Sequence, residues 1–146
     1  MTWLRLSHLQ GEPPELVEKD GKLVEVRIQC RTNGPAVLPV HGCCLLPQLL
    51  KNGTKKVRVR DRRIEPAPTW LVIHRQRFRC KSCGGTVYEE LPDVDDRHYI
   101  TRRLKEDIAM SATKRTFEDA ATFHAVEETL VRRVFKAYAG EKLRDY

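Results

Sequence analysis

The chain has 146 residues, with 27 lysines and arginines against 20 acidic side chains and a net charge of +7. That length leaves room for one ordinary domain or two very small ones. No run of about 18 apolar residues occurs, which excludes a membrane-spanning helix, and Met1–Gln10 lacks the apolar core of a secretory signal.

The expected location is therefore the cytoplasm, where thiols stay reduced, so the five cysteines read as metal ligands or buried thiols rather than disulfides. In chain order, Leu16–Glu18 and Leu23–Cys30 flank Asp20-Gly21 and predict a hairpin, because Asp-Gly supplies the positive φ of a tight turn. Residues 1–38 form this N-terminal segment. Lys56–Asp61 alternates, with Val57 and Val59 on one face and basic residues on the other. Pro66 and Pro68 interrupt the chain, and Thr69–Arg79 reads as a long strand rich in aromatic and β-branched residues. Thr86–Glu89 adds a short strand. The expectation is an antiparallel β unit over residues 39–92, followed by an acidic, turn-prone linker over 93–100.

Beyond the linker the periodicity becomes helical. Thr101 is placed to cap a helix reaching about Ala112, with Leu104, Ile108 and Ala112 on one apolar face. Thr116 or Phe117 opens a second helix to about Phe123. A third runs from about Glu127 to Ala139, with Gly140 as its stop. The fold class expected is α+β: an antiparallel β zinc ribbon, then a three-helix helix-turn-helix unit over residues 101–146.

The strongest local motif is Cys80-Lys81-Ser82-Cys83-Gly84-Gly85. Two cysteines three apart on a turn can reach one zinc ion, and the glycines let amides approach the sulfurs. A second knuckle is required, and its candidates lie in His41-Gly42-Cys43-Cys44, with isolated Cys30 as a further option. The preferred set is His41, Cys44, Cys80 and Cys83, with Cys43 as the alternative to Cys44. The zinc would be structural, because four protein ligands leave no open position.

Charge is concentrated between the cysteines: residues 51–83 carry a net +9, whereas 1–50 are neutral and 84–146 carry −2. A basic block of this kind attracts polyanions, and its binding weakens with salt. Lys55, Lys56, Arg58, Arg60, Arg62, Arg63, Arg75 and Arg77 are its candidate phosphate contacts. Ala120–Val134 has helix-turn-helix spacing, with Ala121 at the helix crossing, Ala125 at the turn, and Val126, Val131 and Val134 inward. Glu127, Glu128, Thr129, Arg132, Arg133 and Lys136 then face outward, and Thr129, Arg132, Arg133 and Lys136 are the candidate DNA contacts of the recognition helix. His124 reads as a half-buried histidine without a special role.

The order of these parts resembles the N-terminal region of transposases of the ISL-three insertion-sequence family. The residues that carry the resemblance are Asn52-Gly53, Lys56–Asp61, Arg75-Gln76-Arg77-Phe78-Arg79-Cys80 through Pro92, Thr101–Leu104 and Ala120–Val134. The sequence departs from the family at His41, Leu45 and Arg62-Arg63. The resemblance implies recognition of double-stranded DNA at the terminal inverted repeats of a mobile element, at the nucleoid, with a homodimer allowed for. It also implies that catalysis belongs to a larger ribonuclease-H-type domain, which has no counterpart in these residues, so no enzymatic site is expected here. Two other readings were open: a module for transposase multimerisation, and an RNA-binding ribbon in which Trp70, Phe78 or Tyr88 stacks on bases.

Overall fold

The computed structural model describes residues 6–39, 48–64 and 67–144. Strands β2 (Glu15–Lys19) and β3 (Lys22–Thr32) form the expected hairpin. Its two turn residues, Asp20 and Gly21, adopt φ of 54° and 76°, the left-handed pair that matches the twist of a two-residue hairpin. Strand β1 (Leu9–Gly11) continues along the same edge of β3. A second, longer hairpin joins β4 (Leu49–Ile64) to β5 (Ala67–Cys80). Its register slips at Asn52-Gly53, where Gly53 has φ of 78°, a β-bulge that glycine accommodates without strain. Strand β6 (Thr86–Tyr88) pairs with the end of β5.

The sheet is mixed, not wholly antiparallel: Val26–Cys30 of β3 run parallel to Thr69–Ile73 of β5. Local alternation of apolar and polar residues specifies which face of a strand is buried, but not the direction of its neighbour. Here the parallel register aligns rows of apolar side chains across three strands. Ile28, Leu71 and Val59 make one row, and Cys30, Ile73 and Val57 make the next. All but Val57 are essentially inaccessible, and Leu9, Leu91 and Val94 complete this core. Each fully buried aliphatic side chain contributes about 1.5–3 kcal/mol.

The segment expected as a linker is folded. Strands β7 (Val94–Asp95) and β8 (Ile100–Thr101) pair with each other, and Ile100 pairs with Arg60 of β4, extending the sheet to the order β1-β3-β5-β4-β8-β7. Val94 and Ile100 are buried, so this acidic stretch contributes apolar anchors that its composition concealed.

Three helices follow: α1 (Arg102–Lys114), α2 (Phe117–His124) and α3 (Glu128–Arg144). Thr101 and Thr116 cap the first two, accepting from the Leu104 and Asp119 amides, as side-chain oxygens at that position do. Leu104, Ile108, Ala112, Ala120, Ala121, Val131 and Val134 form a second core. Gly140 does not end α3, which continues to Arg144. An interior glycine costs about 1 kcal/mol relative to alanine, and helix contacts such as those of Phe135 and Tyr138 outweigh it.

Candidate nucleic-acid interface

The turn between α2 and α3 is built from Ala125, which takes φ 55° and ψ 43°. This left-handed residue closes α2 through the bond from its own amide to the Thr122 carbonyl and from the Val126 amide to the Ala121 carbonyl at 3.0 Å. The turn redirects the chain into α3, while buried Ala120 and Ala121 allow the helices to cross closely. His124, expected to be idle, pairs through Nε2 with Ser111 Oγ at 2.8 Å and so ties α2 to α1. Burial pushes its pKa down, with the nearby Arg115 and Arg63 cations adding to the effect and Asp107 opposing it.

On α3, Thr129, Arg132, Arg133 and Lys136 are exposed, whereas Val131 and Val134 are buried, as the spacing requires. The two arginines are not equivalent. Arg132 is held by Glu128 one turn earlier at 2.7 Å and lies over the Phe117 ring. Thr129, Arg133 and Lys136 have no such side-chain partner among the described residues. Thr129 and Arg133 also line a cleft of about 430 Å³ with Arg60, Trp70, Tyr99 and Glu127.

The basic residues of the sheet divide differently. Lys55 and Lys56 are exposed on β4, with Lys55 over the Tyr88 ring. Arg58 bonds Glu25 at 3.1 Å and covers Trp70 at 4.4 Å. Arg60 also lies against that indole, 5.2 Å from its centroid, and donates to the carbonyls of His124 and Ala125 at 3.2 and 2.5 Å. Its guanidinium thus binds the oxygens at the end of α2, where cations are favoured. Arg62 makes a two-pronged bond to Asp107 of α1 at 2.6 and 3.1 Å. Arg63 lies over Phe123. Arg75 donates to the Glu89 carbonyl at 2.7 Å and to both oxygens of Asp96. Arg77 donates to the Asn52 carbonyl at 2.7 Å and holds the β4 bulge. Much of the arginine stripe therefore engages partners within the protein, and Arg60, Arg62, Arg63 and Arg75 all reach residues 96–125.

A further clamp lay outside the sequence reading. Asp61 is buried at the end of the core row that begins with Val26 and Thr69. It accepts from Thr101 Oγ1 at 2.8 Å and Arg103 Nε at 2.8 Å, and also pairs with Arg103 Nη2. The Asp61 hydrogen bond holds Arg103 firmly protonated. The missed signal was an acid inside an otherwise basic strand.

The aromatic residues considered for stacking on RNA are not open to it. Phe78 is buried, the Trp70 indole is covered by Arg58 and Arg60, and Tyr88 is flanked by Lys55 and Arg75. Tyr99 is the exposed aromatic beside α3, 58 % accessible and at φ 54°.

Cys80 and Cys83 lie on the turn after β5. The Gly84 amide donates to the Cys80 carbonyl at 2.8 Å, the Cys80 amide to the Gly85 carbonyl at 2.9 Å, and the Gly85 amide to Cys83 Sγ at 3.3 Å. A Cβ at Gly85 would come within 3.2 Å of that sulfur, tight enough that the sulfur would have to shift by a few tenths of an ångström. The Lys81 amide donates to the Gln48 carbonyl at 2.9 Å. His41, Cys43 and Cys44 lie outside the described residues. Cys30 sits in the sheet core, donates to the Ile28 carbonyl, and has its thiol pKa raised to about 12 by burial and by Asp61 and Glu12, which keeps it protonated. Among the described residues no group of three or more His, Cys, Asp or Glu is gathered as a metal site, and no helix is long and apolar enough to cross a membrane.

No curated protein and no solved structure matches the chain. A family match does exist, and it falls on the segment from the end of β6 to the outer half of α3. Residues 89–139, about a third of the chain, match the family described as the helix-turn-helix domain of transposase family ISL3.

Proposed function

We propose that this protein recognises the terminal inverted repeats of a transposable element, as the DNA-binding part of a transposase, with α3 entering the major groove. The observation that carries the reading is the coincidence of the matched segment with α2, the left-handed Ala125 turn and an α3 whose Thr129, Arg133 and Lys136 are uncommitted. An exposed helix after such a turn is the element that reads base edges, and an arginine on it can take guanine bidentately. Lys55 and Lys56 supply sequence-independent phosphate contacts from the sheet. Arg60, Arg62, Arg75 and Arg77 instead hold the frame that presents α3. A homodimer on paired repeats is compatible with this reading.

Zinc is part of the proposal. The Cys80–Gly85 turn fits a thiolate-binding metal because a backbone amide already points at Cys83 Sγ and glycine permits its approach. The Lys81 amide donates to the Gln48 carbonyl, so the residue just before β4, four after Cys44 in sequence, lies beside this turn. His41, Cys44, Cys80 and Cys83 would hold the ion, which would brace the end of the sheet and perform no chemistry.

The test is a salt-series binding assay comparing a transposon-end duplex with a random duplex. The proposal expects tighter binding to the end sequence by a factor on the order of 10³, with a steep salt slope for both. Equal affinity for the two duplexes would remove the claim of specificity.

A further inference from the structure

Tyr99 combines three properties that are unfavourable for a residue serving only the fold. It is a large aromatic side chain, it is exposed, and its backbone is left-handed at φ 54°. A non-glycine residue in that region is strained, and such strain persists only where surrounding structure imposes it. Here the surroundings do impose it. Asp95 accepts the amides of Arg97 at 2.9 Å through its carboxylate and of Tyr99 at 2.9 Å through its carbonyl. Its carboxylate is further held by His98 Nδ1 at 3.2 Å and Lys105 Nζ at 3.1 Å. The Tyr99 carbonyl in turn accepts the Arg60 amide at 3.0 Å. Both backbone groups of Tyr99 are thus satisfied and its side chain is displayed by a rigid turn.

The turn faces the recognition helix. Tyr99 shares the cleft of about 430 Å³ with Thr129 and Arg133, two of the three uncommitted residues of α3. Glu127 stands at the near end of that helix and repels phosphate. The exposed Arg97 on the same turn and Arg133 across the cleft supply positive charge on both sides.

We propose that the Asp96–Tyr99 turn is a second DNA-contacting element, with the Tyr99 ring against a deoxyribose and its phenol O–H donating to a phosphate of the strand flanking α3. This rests on the DNA-binding reading above and deepens it. It also ranks Arg133, across the cleft, above Arg132, which is committed to Glu128.

The experiment uses the full chain and a duplex that it selects from a random 20-base-pair library (about two helical turns). Arg133→Ala serves as the reference for α3. Tyr99→Phe, which loses only the phenol's hydrogen bond, is expected to weaken binding about tenfold, the scale of one charge-assisted hydrogen bond, and Tyr99→Ala, which also loses the ring contact, by a larger factor. The hydroxyl-radical footprint of Tyr99→Ala should lose protection at sugars flanking the α3 footprint and keep the rest. Tyr99→Gly is the folding control: glycine adopts this φ freely, so its melting temperature should equal or exceed that of the wild type while its binding falls as for alanine. Wild-type affinity and footprint in Tyr99→Ala, with Arg133→Ala impaired, would overturn this proposal and leave the function standing. A change in sedimentation with an unaltered footprint would assign Tyr99 to protein contact and overturn it too. Failure of the chain to select any duplex would overturn both readings.

Discussion

Replacing Asp61 with alanine tests the join between the sheet and the helices. The side chain is 3 % exposed and its partner Arg103 is 23 % exposed. Removal leaves the half-buried guanidinium without its carboxylate, while Thr101 retains its capping bond to Leu104. Breaking a buried ion pair from one side costs about 3–5 kcal/mol. Water can reach part of Arg103, so the lower figure of about 3 kcal/mol applies, which corresponds to a fall in melting temperature of roughly 10 °C for a chain of this size. Guanidinium unfolding, followed by helix ellipticity and tryptophan fluorescence, measures it. A double-mutant cycle with Arg103→Met should give a coupling of about 2 kcal/mol. A loss below about 1 kcal/mol for Asp61→Ala, additive with Arg103→Met, would refute the clamp.

Four other outcomes are expected. Ala125→Gly should stabilise the protein by about 1 kcal/mol, since it relieves a left-handed alanine; an unchanged or lower denaturation midpoint counts against the turn geometry. His124 has a folded pKa below its ordinary 6.5, so the unfolded chain binds the proton more readily. Its contribution to stability is present above pH ~6.5 and lost as the pH falls through the folded pKa, and denaturation curves at stepped pH should show a smaller acid loss for His124→Gln. Purified wild type should hold about one equivalent of zinc by elemental analysis, against less than half for Cys80→Ser or Cys83→Ser; equal content would dismiss the turn as a ligand. Replacing Lys55 and Lys56 with glutamine should weaken all duplexes alike and reduce the salt slope by about 2, whereas Arg133→Ala should cost about 1–3 kcal/mol and relax sequence preference.

The helical unit was the most legible part because its signals are local. Thr101 and Thr116 sit where caps must sit, and Leu104, Ile108 and Ala112 repeat at helical spacing. The alternation of Val57 and Val59 likewise marked β4, but the parallel neighbour of Leu71 lies some forty residues upstream and leaves no local trace. The arginines were the least legible. A guanidinium suits a phosphate, a carboxylate or a helix carbonyl end equally well, and only tertiary placement assigns Arg62 to Asp107 and Arg60 to the end of α2. Strands β7 and β8 escaped notice because two-residue strands have no periodicity to read. The Cys80–Gly85 turn was visible in the sequence, while the upstream residues proposed to share zinc with it lie outside the described residues.

The parallel pairing of β3 with β5 has a consequence for how the protein comes into being. During synthesis Lys22–Thr32 emerge well before Ala67–Cys80, so the hairpin must wait with one backbone edge open until its central partner arrives. Such non-local pairing slows folding, and an open edge is prone to join another chain. Early in translation the hazard is thus greatest at Val26, Ile28 and Cys30, residues that later become buried in the sheet core. Fragments that stop before β5 are expected to aggregate through that edge, and the yield of folded protein should improve when translation is slowed after Thr32 only if a chaperone shields it.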